Sequence, residues 1–131
     1  MGTRKENISL LTQTFNFSPI SINHAYYFIK MKTGRVIKVK SKECKEFVQK
    51  IHDNINNQII YENKLEVYIR FGFQYKNKPK RKDLDNYQKI ILDALSGVVW
   101  KDDTQIYKLI CEKQDIKDED FIYIEVCEYN E

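Results

Sequence analysis

Residues 65–73 read LEVYIRFGF, in which every second side chain is apolar. An alternation of this kind has the two-residue period of a β-strand with one buried face. The predicted buried side chains are Leu65, Val67, Ile69, Phe71 and Phe73. The other elements can be assigned outward from this strand.

Three elements are predicted before it. Residues 11–17 also alternate and form a strand that Ser18-Pro19 ends. Residues 20–39 are typical of a hairpin that turns near Gly34. Ser41 is a suitable N-cap for a helix whose apolar residues recur three to four positions apart. These apolar residues are Phe47, Val48, Ile51, Ile55 and Ile59.

After the central strand, a second helix is predicted at residues 86–97, and Gly97 is its natural stop. Its apolar stripe consists of Tyr87, Ile90, Ile91, Ala94, Leu95 and Val98. Strands follow at residues 106–113 and 121–127. The order of elements predicts an α+β fold, a single compact domain whose mixed β-sheet carries two main helices on one face.

The composition fits one cytoplasmic domain. The chain has 131 residues, 42% of them hydrophobic, and a mean hydropathy of -0.60. No apolar run reaches the roughly 20 residues that a membrane span needs, and the first residues lack a secretory signal. Residues 1–10 are predicted to be a flexible tail and residues 11–131 to form the domain. Three widely spaced cysteines and two histidines argue against a zinc knuckle or a disulfide scaffold.

The net charge of +3 conceals a segregation of charge along the chain. Residues 1–100 carry 18 basic and 9 acidic side chains, whereas residues 101–131 carry 4 and 10. A block of one sign is usually a solvated face. A positive face on a small domain also fits a polyanion, of which nucleic acid is the commonest.

The densest basic run is YKNKPKRK at residues 75–82, which holds five bases and no acid. Its bases are the predicted DNA-contacting residues Lys76, Lys78, Lys80, Arg81 and Lys82. Such side chains would bind phosphates without reading sequence, and Lys42, Lys45 and Lys50 of the first helix could add to them. Tyr26, Tyr27 and Tyr75 could stack on unpaired bases, although aromatic side chains more often fill a core.

Clustered acids follow this run directly. In extended chain, Asp83 and Asp85 project to the same side while Leu84 points to the core, so both can reach one hydrated cation. A second pair, Asp102 and Asp103, would sit opposite the first if the strand after it packs beside the helix. Carboxylates without cysteine or histidine suit Mg²⁺ or Mn²⁺. The alternative is structural, because an acid can also cap a helix or open a turn.

Lys89 lies four residues after Asp85 and four before Asp93 on the predicted helix. It could form an ion-pair ladder with both acids. It could equally direct its ammonium at a scissile phosphate and neutralise the charge that develops there.

Three segments form a recognisable combination: residues 80–89 read KRKDLDNYQK, residues 92–97 LDALSG and residues 100–106 WKDDTQI. The combination closely resembles the signature of the RusA family of Holliday junction resolvases. The segment SPISIN at residues 18–23 is similar to the family's early P-x-S-x-N segment. Together these segments touch most of residues 15–110.

The resemblance implies a Mg²⁺-dependent endodeoxyribonuclease, in which Mn²⁺ can substitute, that resolves four-way DNA junctions by paired symmetric cleavage in recombination and repair. It implies a homodimer encoded by a bacterium or a phage. Asp83, Asp85 and Asp103 match the family's essential acids, and Lys89 matches its essential lysine. Asp102 is the neighbouring acid and ranks behind Asp103 as a metal ligand.

Two other functions stay open at this point. One is a nucleic-acid-binding protein of the same fold that does not cleave, and the other is a structural or interaction protein whose acids are caps and whose bases are solvated. The presence of all four matching residues, Asp83, Asp85, Asp103 and Lys89, favours the enzyme.

Overall fold

A computed structural model describes residues 8–56, 59–77 and 82–130. The strands are β1 (Ser9–Phe15), β2 (Tyr26–Lys30), β3 (Val36–Lys40), β4 (Leu65–Gln74), β5 (Ile106–Ile116) and β6 (Phe121–Glu128). The helices are α1 (Ile22–Ala25), α2 (Lys42–Asn54) and α3 (Leu84–Leu95), and 3-10 turns span Tyr75–Asn77 and Asp103–Gln105. The predicted α+β fold and order of main elements are confirmed; α1 is an addition.

Four strands form the main sheet, in the order β1-β6-β4-β5. β6 is antiparallel to both of its neighbours, whereas β4 and β5 are parallel. A parallel pair needs a crossover connection, and α3 supplies it. The mixed sheet is therefore built around β4, the strand with the clearest alternation.

The core lies between this sheet and the helices α2 and α3. Alternate side chains of β4 are at most 2% exposed, as the sequence predicts, and those of β6 pack beside them. α3 contributes Tyr87, Ile90, Ile91, Ala94 and Leu95. Burial of a large apolar side chain stabilises a fold by roughly 1.5–3 kcal/mol, so this layer is the main source of stability.

The end of α2 differs from the prediction. The helix stops at Asn54, Ile55 is its C-cap, and Ile59 lies outside it with 62% of its surface exposed. The reason is a tertiary contact: the Gln13 side chain on β1 donates to the Asn54 carbonyl and accepts from the Asn56 N–H at 3.0 Å. A side chain 43 residues away thus satisfies backbone groups that a longer helix would have paired.

The predicted hairpin is present, but β2 and β3 form a two-stranded ribbon of their own. It turns at Gly34, whose φ of +88° suits glycine. At its base, the Ser41 hydroxyl donates to the His24 carbonyl at 2.7 Å and accepts from the Cys44 N–H at 3.0 Å. Ser41 therefore caps α2, as predicted, and also links it to α1, which leads into the ribbon.

The beginning of the chain is only partly described. β1 begins at Ser9, so it includes the last two residues of the predicted tail, and residues 1–7 lie outside the described part. Within the described residues, every helix is too short or too polar to span a membrane.

Gly72 is expected to be intolerant of even the smallest side chain. It pairs with Phe121 across β4 and β6, and a Cβ at this position would overlap the Phe121 ring. We expect Gly72→Ala to lower the free energy of unfolding by about 1–3 kcal/mol, measured by urea denaturation, because the ring must move. In a Phe121→Ala background the cost should largely disappear. An equal cost in both backgrounds would contradict this explanation.

Candidate active site

Asp83 and Asp85 flank the residue that begins α3. Asp83 occupies the N-cap position with an extended backbone, φ -84° and ψ 128°, yet its side chain makes no capping hydrogen bond. Leu84 packs against the core, whereas both acids are exposed. Capping therefore does not account for the Asp83 carboxylate. Both acids face solvent at a helix end whose dipole favours negative charge.

A cavity of about 360 Å³ opens beside these two acids. Its lining residues are Lys82, Asp83, Leu84, Asp85, Asn86 and Lys113. Lys113 reaches it from β5, and its ammonium donates to the Lys82 carbonyl at 2.8 Å. The cavity combines carboxylates that suit a hard divalent cation with lysines that suit a phosphate. The sequence did not indicate Lys113, because a single base in a strand carries no local signal.

A second groove, of about 550 Å³, is also lined by Lys82. It lies between the segment at residues 17–21 and α2, so the SPISIN motif contributes one wall. The Lys82 ammonium lies 5.6 Å and 5.9 Å from the ring centroids of Phe73 and Tyr87. Lys50 lines the groove together with Glu43 and Glu46, so its charge is mixed. Lys82 is the residue that the groove and the acidic cavity share.

The predicted basic run is only partly described. Lys76 is exposed on the 3-10 turn after β4, and Lys82 is half-buried beside the cavity. Lys78, Lys80 and Arg81 lie outside the described residues.

Lys89 lies on the exposed stripe of α3 with Asp85 and Asp93 one turn away on either side. Among residues 82–130, no ion pair joins Lys89 to either acid. Asp93 lies near Tyr26, and burial together with this carboxylate raises the pKa of the Tyr26 hydroxyl. The ion-pair ladder is therefore absent, and the ammonium of Lys89 is exposed next to Asp85.

Asp102 and Asp103 form the turn before β5. Asp102 accepts from the Thr104 N–H at 3.0 Å, while Gln105 accepts from the Asp102 N–H at 2.9 Å, which makes a capping box. Asp103 accepts from the indole N–H of the fully buried Trp100 at 2.6 Å. Asp102 thus has the structural role that the sequence left open. Asp103 is held in one orientation by a rigid donor.

The two acidic pairs lie at opposite ends of α3. Lys113 on β5 contacts Lys82. On the same strand, burial raises the pKa of the Cys111 thiol to about 11, and the nearby charge of Asp85 adds to this shift. Asp85 therefore lies near residues 111–113 of β5, whereas Asp103 begins the turn that directly precedes Ile106, the first residue of that strand. From Ile106 to Lys113, β5 advances seven residues, or roughly 23 Å, and the 12-residue helix α3 is about 18 Å long.

The prediction that Asp103 lies opposite Asp83 and Asp85 in one chain is therefore not met. In the described ranges, no group of three or more His, Cys, Asp or Glu side chains is placed to hold a metal ion. The physical reason is the parallel pairing of β4 and β5. Asp83 and Asp85 follow the C-terminal end of β4, and α3 must carry the chain back to the N-terminal end of β4 before the parallel strand β5 can start beside it.

Enzymes that act on phosphodiesters typically combine paired carboxylates with basic side chains. This cavity has both, and the neighbouring groove adds Lys50. The family model for endodeoxyribonuclease RusA matches residues 18–127, and the chain belongs to this family of Holliday junction resolvases. It is accordingly a nuclease. The matched range contains the cavity, α3 and the Trp100–Asp103 turn. No match was found among curated proteins.

Proposed function

We propose that this nuclease resolves four-way DNA junctions in recombination and repair as a Mg²⁺-dependent homodimer that cuts two opposed strands. The observation that carries the proposal is the pair of exposed carboxylates, Asp83 and Asp85, in a cavity that Lys82 and Lys113 also line. Membership of the RusA family supports the substrate class, and the residues of the cavity support the metal-dependent chemistry.

The donor set of this cavity suits Mg²⁺. This ion prefers oxygen ligands and is commonly held by one or two carboxylates, with water and substrate phosphate completing its shell. Asp83 makes no capping hydrogen bond, which leaves its oxygens available. When bound, Mg²⁺ or Mn²⁺ would supply an activated water and relieve the charge on the phosphate. Asp83 and Asp85 would be its ligands.

The lysines act on the phosphate itself. Lys82 and Lys113 line the cavity and would hold the DNA backbone there as point charges. Lys89 is exposed one turn beyond Asp85, a position that favours stabilisation of the charge that develops in the transition state. Lys76 and the bases at 78, 80 and 81 would add phosphate contacts that position the arms.

A homodimer also provides a role for Asp103. Two α3 helices that pack antiparallel across a two-fold axis bring the C-terminal end of one helix to the N-terminal end of the other. Asp103 of the partner subunit would then approach Asp83 and Asp85, with its carboxylate oriented by Trp100. The same symmetry gives the two sites that paired cleavage of a junction requires.

The experiment that tests this function is incubation of the protein with an end-labelled four-way junction and Mg²⁺. We expect two symmetric cuts per junction, no cleavage in EDTA and renewed cleavage on addition of Mn²⁺. Junction binding should weaken steeply between about 50 and 200 mM salt, because each phosphate contact releases counterions. Tight, metal-independent binding without cleavage would contradict the proposal and favour a non-catalytic junction-binding protein.

A further inference from the structure

The β2–β3 ribbon, residues 26–40, is the most basic described surface away from the cavity. It carries Lys30, Lys32, Arg35, Lys38 and Lys40 and has no acid. Its strands pair only with each other, so the ribbon adds nothing to the main sheet. Phe28 is 68% exposed and Tyr27 49% exposed. A structural hairpin would bury such aromatic side chains, so their exposure requires another explanation.

The register of the ribbon separates its two faces. Tyr26 pairs with Lys40, Phe28 with Lys38 and Lys30 with Val36, and paired residues point to the same side. One face therefore combines cations with the exposed Phe28 ring. The other face carries Tyr27, Ile29, Ile37 and Val39 and has no charge.

The basic face adjoins the active-site helix. The short helix α1, which leads into the ribbon, packs against α3, and Tyr26 at the base of the ribbon lies near the Asp93 carboxylate of α3. The Lys38 ammonium lies 3.9 Å from the centre of the Tyr26 ring. Asp93 is one turn from Lys89 on the same stripe. The cations of the ribbon and the candidate catalytic lysine thus border one continuous surface.

The occupant of this surface must be a polyanion. A second copy of the ribbon packed on this basic face would oppose cations to cations, which disfavours self-association through it. An exposed ring among cations suits single-stranded or unstacked nucleic acid, since bases stack on aromatic side chains while lysines hold the backbone. Unstacked base pairs occur where the strands of a branched DNA exchange.

We infer that the β2–β3 ribbon is a second DNA-binding element, in which Lys30 and Lys38 contact phosphates and Phe28 stacks on a base at the branch point. The inference rests on the proposed function and extends it. The 75–82 run and the cavity engage the strand to be cut, whereas the ribbon recognises the branched structure.

The phosphate contacts are tested with the full-length double variant Lys30→Gln/Lys38→Gln. Binding to a four-way junction and to linear duplex is measured by fluorescence anisotropy in EDTA at several salt concentrations. We expect about 10-fold weaker binding to both DNAs and a salt slope that is smaller by about 2. The control, Lys64→Gln/Lys117→Gln, loses the same charge from exposed sites elsewhere and should keep the wild-type slope.

The stacking contact is tested with Phe28→Ala. We expect roughly 10-fold weaker binding to the junction and unchanged binding to duplex, with Phe28→Trp restoring junction affinity. A 2-aminopurine base at the branch point should be quenched by the wild type and by Phe28→Trp, but not by Phe28→Ala. The control is Tyr107→Ala, which removes an exposed ring from β5.

Unchanged affinity and salt slope in the Lys30/Lys38 variant would overturn the inference. So would quenching that persists in Phe28→Ala, or ribbon variants that lose binding only to vesicles containing phosphatidylserine. Cleavage in Mg²⁺ is read separately. If the wild type binds junctions through the ribbon yet cuts none, the proposed function fails and the ribbon's role stands.

Discussion

The substitution Asp85→Asn is expected to abolish cleavage of a four-way junction and to leave junction binding intact. Asparagine keeps the size of the side chain but removes the negative charge that holds a divalent cation. We expect a loss of roughly 10³-fold or more in the rate of cleavage under saturating protein. Asp85 is exposed, so the free energy of unfolding should change by less than about 0.5 kcal/mol.

The matched control is Asp118→Asn, which removes one carboxylate charge from the exposed turn between β5 and β6. Single-turnover cleavage and gel-shift binding are measured for both variants at the same salt concentration. The control should cleave like the wild type. If Asp85→Asn cleaves as fast as Asp118→Asn, then Asp85 is only part of a helix terminus and the proposed metal cavity is wrong.

The main elements could be predicted because their signals are local. The alternation in residues 65–73 and the stripe on α3 reflect burial on one face, and burial is what the structure shows for both. The end of α2 had no such signal. Gln13, which terminates it, is distant in sequence and unremarkable as a polar residue in a strand. The sequence also contains no local signal that β2 and β3 stay outside the main sheet, because this depends on which distant strands pair with one another.

The residues of the candidate site also differ in how well the sequence predicts their positions. Asp83 and Asp85 are separated only by Leu84, so their proximity follows from the sequence alone. The prediction assumed extended chain here, whereas α3 begins at Leu84 and includes Asp85; both acids are nevertheless exposed around the half-buried Leu84. The position of Asp103 depends on whether the strand after α3 is parallel or antiparallel to β4, which side-chain periodicity does not reveal. The sequence identified the acidic pair Asp102 and Asp103 and predicted that it lies opposite the first pair, and the family resemblance singled out Asp103 as an essential acid. Only the sheet register shows that α3 separates it from the other acids.

That separation leads to a second prediction, about heterodimers of two inactive variants. Homodimers of Asp85→Asn and of Asp103→Asn should both fail to cleave. A heterodimer with one substitution in each subunit should regain about half of the wild-type rate and cut one strand of the junction. The reason is that Asp85 of one subunit and Asp103 of the partner subunit form one intact site, while the other site carries both substitutions.

The control heterodimer pairs a wild-type subunit with a subunit that carries both Asp85→Asn and Asp103→Asn. This dimer carries the same two substitutions as the first heterodimer. Each shared site now contains one of them, so we expect no cleavage. Differently tagged subunits are coexpressed, and heterodimers are isolated by sequential affinity purification before cleavage is measured. All four variant dimers should bind the junction alike.

The two heterodimers respond oppositely if each site is built within one subunit. The wild-type subunit would then keep the control heterodimer active, and the dimer with one substitution per subunit would be inactive. Because α3, a helix about 18 Å long, separates Asp83 and Asp85 from the Asp103 turn, a site within one chain would require this turn to leave its capping box and the bond to Trp100. Activity only in the first heterodimer therefore supports a site shared across the dimer.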